Sequence, residues 1–501
     1  MTKVSHTHTK FTNSSNHLQS DWKNVYVISV FAFLDAFQFS FFVYTFWPYV
    51  QQLDPTISAS FVGLIMAASG IGEAASAPLL GYWTNKTGHV LPPLVFSILL
   101  SLLGNICYMT LNSSPLHLRT ALLLLSRFLN GFGSGNRGTY FAYVAAATTA
   151  EDRTRAMALS GGGALIGLNC GPAVQMLFTW IGEHGFELGF MRLSMYTAPA
   201  VFAVVINFLC IGIILISLED GLDRFNPPDA DTQSTFSIAA ASDSDLERAA
   251  VTTIRVDVLA VAVCMFTRSA RMLMTANIES TGSPYAEVMF DLSRADVLSY
   301  NSYMQAAVGT LTTIMFLVYV FTPYSRWISE RFNCLWAMAA LLLFHVLTFS
   351  WPFLPGTMSN CDRFPNWLGW CQDLKPVNMT LYYVTYSLIY GISLPCLNNS
   401  LQSLFSQVLG KGRQGLMQGV NQAVGCISRI LGPILMSSSF ASFGPRATWI
   451  IEMGLITICL VIWCAVYRRL SPPVVIKQRQ ITVSESEDGV INPACRGSIS
   501  S

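Results

Sequence analysis

The stretch LRTALLLLSRFLNGFGSGNRGTYFAYV, Leu118 to Val144, decides how the rest of the chain is read. It is longer than the ~20 residues that an α-helix needs to cross a hydrocarbon core. Lipid offers no hydrogen-bond partner to a bare backbone, so the stretch predicts a spanning helix. Arg127 stands about nine residues, or roughly 14 Å, into that helix, near the bilayer centre. A charge at that depth costs several kcal/mol unless it is paired or wetted, which marks Arg127 as functional. A structural arginine holding the carbonyls of a neighbouring helix is the other account, and the residues alone leave both open.

Eleven further stretches are built alike: Val25–Tyr49, Ser60–Tyr82, Leu91–Leu111, Ala156–Trp180, Ser194–Leu218, Val256–Ala276, Ser299–Phe321, Cys334–Leu354, Leu381–Leu404, Gly415–Phe440 and Thr448–Tyr467. Of 501 residues, 52% are hydrophobic and 11% charged. A soluble domain carries about 25% charge, so this is a membrane composition. Twelve spans occupy enough of the chain to leave no room for an independent soluble domain. A net charge of +1 excludes nucleic acid as an expected partner. His6, His8 and His17 read as part of a disordered polar tail rather than a metal site. No metal-ligand cluster, phosphate loop or nucleophile motif stands out, so neither enzyme nor cofactor is expected.

The domain reading places a tail at 1–22, a six-helix lobe at 23–218, a linker at 219–250, a second six-helix lobe at 251–470 and a tail at 471–501. Lys86, Arg153, Arg155, Arg326, Arg331, Lys411 and Arg413 fall in connections on the side of both tails. The opposite connections hold fewer positive residues, which predicts cytoplasmic termini. The first span is too long for a cleaved signal and reads as an uncleaved anchor. On the far side lie the glycosylation sequons at Asn378 and Asn112. Cys361 and Cys371 lie there too, and a disulfide between them is expected only as one pairing that the sequence permits.

The halves echo one another. Thr84-Asn85-Lys86 follows the second span, and Ser329-Glu330-Arg331 follows the eighth. Arg127-x-x-x-Gly131 has a partial counterpart in Ser387-x-x-x-Gly391. Gly171-Pro172 matches Gly432-Pro433. Such internal symmetry about a polar seam is how solute transporters are built.

With these motifs in hand, the chain resembles the major facilitator superfamily. Gly81-Tyr-Trp-Thr-Asn85-Lys86-Thr-Gly88-His89 is similar to its loop motif, with Asn85 where that family has an acidic residue. The resemblance implies that Gly81, Asn85 and Lys86, with Glu330 and Arg331, close one side of the molecule. Gly163-x-x-x-Gly167-x-x-x-Gly171-Pro172 looks like the glycine-proline signature of the family's proton antiporters, although tight helix packing accounts for it equally. The implied fold is all-α, with twelve transmembrane helices in two six-helix pseudo-repeats.

Intramembrane charges are Asp35, Glu73, Arg127, Arg137, Arg268, Arg271 and Arg429. Since spans one, four, seven and ten line the cavity in that fold, Asp35, Arg127 and Arg268 are the expected site, with Glu73 and Arg429 in support. Asp35 or Glu73 would couple protons or neutralise an arginine. The excess of arginine favours an anionic solute.

Further runs look like one family within it, that of major facilitator superfamily domain-containing protein 8. They are Trp47-Pro48-Tyr49, Ala77-Pro78-Leu79-Leu80-Gly81-Tyr82-Trp83, Gly171-Pro172-Ala-Val-Gln175, Ser428-Arg429-Ile430-Leu431-Gly432-Pro433 and Gly444-Pro445-Arg446. That resemblance implies an endolysosomal membrane and movement of a small solute or ion. An anion channel and a transport-inactive scaffold are the alternatives to a carrier.

Overall fold

A computed structural model of the chain describes residues 20–41, 46–53, 59–182, 185–188, 191–222, 257–358, 368–410, 412 and 414–471. Among these, the helices make twelve crossings in two bundles. The first bundle comprises α1 (Trp22–Ser40), α2 (Phe46–Leu53), α3 (Ala59–Thr87), α4 (Leu91–Met109), α5 (Leu116–Ser134), α6 (Arg137–Ala146), α7 (Arg153–Gln175) and α8 (Ala198–Ser217). The second comprises α9 (Val258–Phe290), α10 (Arg294–Phe321), α11 (Tyr324–Trp327), α12 (Glu330–Thr348), α13 (Leu368–Cys371), α14 (Met379–Leu409) and α15 (Gly415–Val466). Each has its own buried core. Phe31, Tyr49, Tyr108, Tyr140 and Tyr143 centre the first, and Tyr285, Tyr319, Tyr382, Tyr390 and Trp463 the second.

Burial is turned outward, as lipid demands. On α8, Asn207 is wholly buried while Phe208 and Ile216 are exposed, Ile216 at 87%. Water would punish that arrangement, whereas hydrocarbon rewards it. Six helices, α4, α8, α9, α10, α12 and α15, are apolar and long enough to span on composition alone. Several others, among them α1, α3, α5 and α14, carry polar residues that must therefore face protein or water.

Several boundaries differ from the sequence expectation, each for a local reason. The fourth span is broken between α5 and α6, with Gly135 and Asn136 in the joint. The seventh helix runs on to Phe290, past the expected Ala276, because Asn277, Thr281 and Tyr285 are buried against protein rather than reaching water. Spans eleven and twelve remain two helices within the α15 range, parted by a kink at Gly444, whose φ of 77° is left-handed. A Cβ there would stand 2.6 Å from the Trp370 ring, so glycine is needed twice over. A short hairpin, β1 (Phe186–Leu188) with β2 (Met191–Leu193), pairs Glu187 with Arg192 between spans five and six.

Both described chain ends lie on one side, the terminal side of the molecule. There Ser20 donates to Asp152 at 2.7 Å, Lys23 pairs with Glu219 at 2.9 Å, and Arg469 donates to Asp257 at 2.7 Å. The histidine-bearing tail, most of the linker and the C-terminal tail lie outside the described residues.

Candidate functional site

Glycine sets the distances on which the site depends. Along α7, a Cβ on Gly163 would stand 2.8 Å from the Ser29 carbonyl oxygen, one on Gly167 2.3 Å from that of Phe33, and one on Gly171 1.6 Å from Ser40 Oγ. The stripe therefore seats α7 directly on the α1 backbone. Gly432 of α15 stands likewise against Ala276 of α9, at 2.5 Å. Pairs five–one and eleven–seven are thus equivalent, as the repeat requires. Gly131, four residues beyond Arg127, would clash with the Ser69 carbonyl at 1.9 Å, so it brings α5 onto α3.

Two more glycines join the lobes. A Cβ on Gly81 of α3 would lie 2.2 Å from the Gly415 carbonyl oxygen of α15, and one on Gly138 of α6 2.7 Å from the Gly419 nitrogen. That approach puts Glu73, at the middle of α3, against the middle of the α15 segment that forms span eleven. Glu73 is 2% exposed. Its Oε2 accepts from Arg429 Nη2 at 2.5 Å, and its Oε1 accepts from Gln422 Nε2 at 2.8 Å. Arg137 Nη1, from its own lobe, stands 3.6 Å from Oε1.

Gln422 is oriented from the other side. Arg268 Nη2 donates to Gln422 Oε1, and Arg268 Nη1 to Gln402 Oε1 at 3.2 Å. The guanidinium has no acceptor, so it must meet the amide oxygen, and this turns the amide nitrogen towards Glu73. The chain continues from Gln402 Nε2 to Gln418 Oε1 at 2.7 Å, and from Gln418 Nε2 to Gln414 Oε1 at 3.3 Å. A buried hydrogen-bonded ladder thus runs from Glu73 to Gln414, at the first turn of α15. Arg271 adds a further positive group beside Arg268 and Arg429.

Asp35 and Arg127 occupy a different place. They line one small polar cavity inside the first lobe with Gln38, Ser101, Asn105, Asn130 and Ser134. The Arg127 guanidinium lies 4.9 Å over the Tyr108 ring, a cation–π contact. Gln38 Nε2 stands 3.5 Å from Asp35 Oδ1 and donates to Asn207 at 3.0 Å.

The five expected residues are therefore split. Glu73, Arg268 and Arg429 come together at the lobe boundary, joined by Arg137, while Asp35 and Arg127 share the inner cavity. Glu73, expected only in support, is the residue on which the boundary converges. The glutamines escape a reading that weighs formal charge alone. Gln414, Gln418 and Gln422, four residues apart in an apolar span, are the signal that could have found them. His345 escapes it as well, with Nε2 2.6 Å from Glu452 Oε2 and wholly buried within the second lobe.

On the terminal side, Thr154 of α7 donates to Glu330 Oε1 at 2.7 Å and lies 2.6 Å from Ser403 Oγ. Glu330 thereby crosses to the other lobe. Arg331 stays within its own, over the Tyr467 ring at 5.3 Å. Asn85 faces Gly415 of the opposite lobe, where a Cβ on that glycine would stand 2.7 Å from Asn85 Oδ1. Lys86 is exposed. Pro172 lies in the last turn of α7, and Pro433 lies within α15, half-buried. Asn378 caps α14 and is exposed, whereas Asn112 is half-buried in a turn whose carbonyl accepts from Arg119. Cys371 is buried, and Cys361 lies outside the described residues.

Residues 28–433 match the family model described as Major Facilitator Superfamily. The chain is 28% identical over 488 residues to "Major facilitator superfamily domain-containing protein 8" of Xenopus laevis, covering 92% of this chain and 94% of that one. Among solved structures it is similar to the human organic anion transporter MFSD10 (TM-score 0.59, 15% identity, 88% of this chain and 99% of that one). It is also similar to the E. coli fucose:proton symporter FucP (TM-score 0.62, 16% identity, 89% and 98%). With twelve crossings in two glycine-joined repeats and a family match over most of its length, the chain belongs to the major facilitator superfamily of membrane transporters.

Proposed function

We propose that this transporter moves a small anionic solute by alternating access, with the lobe-boundary cluster as its binding site. One observation carries the reading: Arg429 and Arg137 both meet the Glu73 carboxylate, and Arg268 holds the Gln422 amide that meets it too. One carboxylate cannot balance these three guanidiniums, and the remainder favours an anion from water. Arg429 is 36% exposed on its side chain at mid-membrane depth, a place that only a water-filled cleft makes tolerable. Human MFSD10, similar in fold, is an organic anion transporter, which points the same way.

The described lobe contacts at Glu73 and at Thr154 support a cleft that would open towards the side away from the termini. With termini in the cytoplasm, as the positive connections suggest, this would be an outward-facing arrangement, and an endolysosomal membrane is the address that the sequence resemblance implies. The glycan site would be Asn378, and a Cys361–Cys371 disulfide would brace the same side.

Purified protein in liposomes under imposed chloride and lactate gradients, each with and without a pH gradient, tests the reading. Saturable anion uptake supports a carrier. Large anion current that ignores pH would give the same arginines to a channel, and absence of any anion movement would remove the reading.

A further inference from the structure

The two oxygens of Glu73 are held separately, and their donors come mainly from the opposite lobe. Arg429 takes Oε2, while Gln422 takes Oε1, with Arg137 behind it. Gln422 is a neutral donor, turned into place by Arg268. Two donors set for two oxygens sharing one charge describe a carboxylate receptor, occupied here by a side chain of the protein itself. A halide has a single centre and lacks the two separate acceptor atoms that these donors are spaced to meet. The receptor can be reached, because Arg429 is 36% exposed while Glu73 is 2% exposed. Arg271, three residues on from Arg268 in α9, donates from Nη2 to the Met272 sulfur at 3.5 Å.

We propose that Glu73 is a tethered stand-in for the solute: the transported anion presents a carboxylate, which replaces that of Glu73 on Arg429 and Gln422 and so releases one lobe from the other. This rests on the anion reading above and adds the chemical class and the event that couples binding to lobe movement. Arg268 acts as a positioning residue, since it fixes the direction of the Gln422 amide.

The test is thermal unfolding of the full-length protein in detergent, titrated with sodium acetate or sodium chloride at matched ionic strength. Glu73→Ala vacates the receptor, so acetate should raise its Tm saturably by a few degrees, as a ligand of the folded state does. Chloride should not, and Glu73→Ala/Arg429→Ala should lose the acetate response. If the alanine variant does not purify folded, Glu73→Ser vacates the same space and is read in the same way. Equal responses to both salts, no acetate response, or a response that survives loss of Arg429 each overturn the proposal. Wild-type liposomes separate the two levels: anion uptake without acetate rescue sinks the stand-in alone, and no anion uptake sinks both.

Discussion

Glu73 and Arg429, 356 residues apart in the chain, form an ion pair at 2.5 Å that ties the second span to the eleventh. A buried carboxylate stripped of its partner keeps its desolvation cost, so removing one member hurts more than removing both. Arg429→Met should therefore destabilise the protein by about 1–3 kcal/mol, below the usual value for fully buried pairs because Arg429 is partly solvated. Glu73→Gln/Arg429→Met should recover part of the loss. Thermal unfolding of the two variants checks this, and a double variant no more stable than Arg429→Met would contradict it.

Gly167 is held to glycine by contact, with the Phe33 carbonyl 2.3 Å from where a Cβ would sit. Gly167→Ala should cost about 1–3 kcal/mol through displacement of α7 from α1, as overpacking does. Gly454 meets nothing within 4 Å, and Gly454→Ala should leave Tm unchanged or slightly raised. Similar Tm losses in the two variants would show that the α1–α7 approach is not tight.

Thr154 bridges the lobes on the terminal side through Glu330 and Ser403. Thr154→Val keeps the shape and loses both hydrogen bonds, at about 1 kcal/mol each. The population open on that side should rise by roughly five-fold per kcal/mol lost. Hydrogen exchange of the α7 and α14 amides beside the contact reports it, and unchanged exchange would mean that the clasp does not hold this side shut.

Asn378 accepts from the Leu381 amide at 3.0 Å through Oδ1, which leaves Nδ2 free for a glycan. Cap and sequon can thus be separated. Asn378→Asp should lose the glycan and keep the cap, whereas Asn378→Ala should lose both and about 1 kcal/mol besides. A mobility shift after glycosidase treatment and a Tm for each variant decide it. A glycan that persists in Asn378→Asp would place the modification elsewhere.

The spans were legible because lipid forces continuous apolar runs, and Ala198–Ser217 is a clear instance, whereas the break at Gly135 and Asn136 inside Leu118–Val144 was not read. The glycines at 163, 167 and 171 were legible as packing because their spacing follows one helical face. The pairing of Glu73 with Arg429 was not, since it depends on how two lobes meet across the whole length of the chain. Gln418 and Gln422 escaped notice because a neutral amide in an apolar span carries no formal charge, although it must still be hydrogen-bonded. Asp35 and Arg127 were expected to meet Arg268 in one cavity, and the two line an inner cavity of the first lobe. Arg268 was expected beside them, but α9 packs it against α14 and α15. The α9 extension to Phe290 went unread because Asn277, Thr281 and Tyr285 look like the end of an apolar span and are buried instead.

Anion uptake into liposomes by Arg429→Ala, compared with wild type at equal reconstitution and matched folding, tests the central claim most directly. The lobe-boundary site predicts uptake lower by at least about ten-fold, since a loss of about 1.4 kcal/mol in solute binding already gives that factor. Arg429→Lys should fall between the two, because it keeps the charge and loses the planar fork. Wild-type uptake by correctly folded Arg429→Ala would contradict the account and move the binding site away from the lobe boundary.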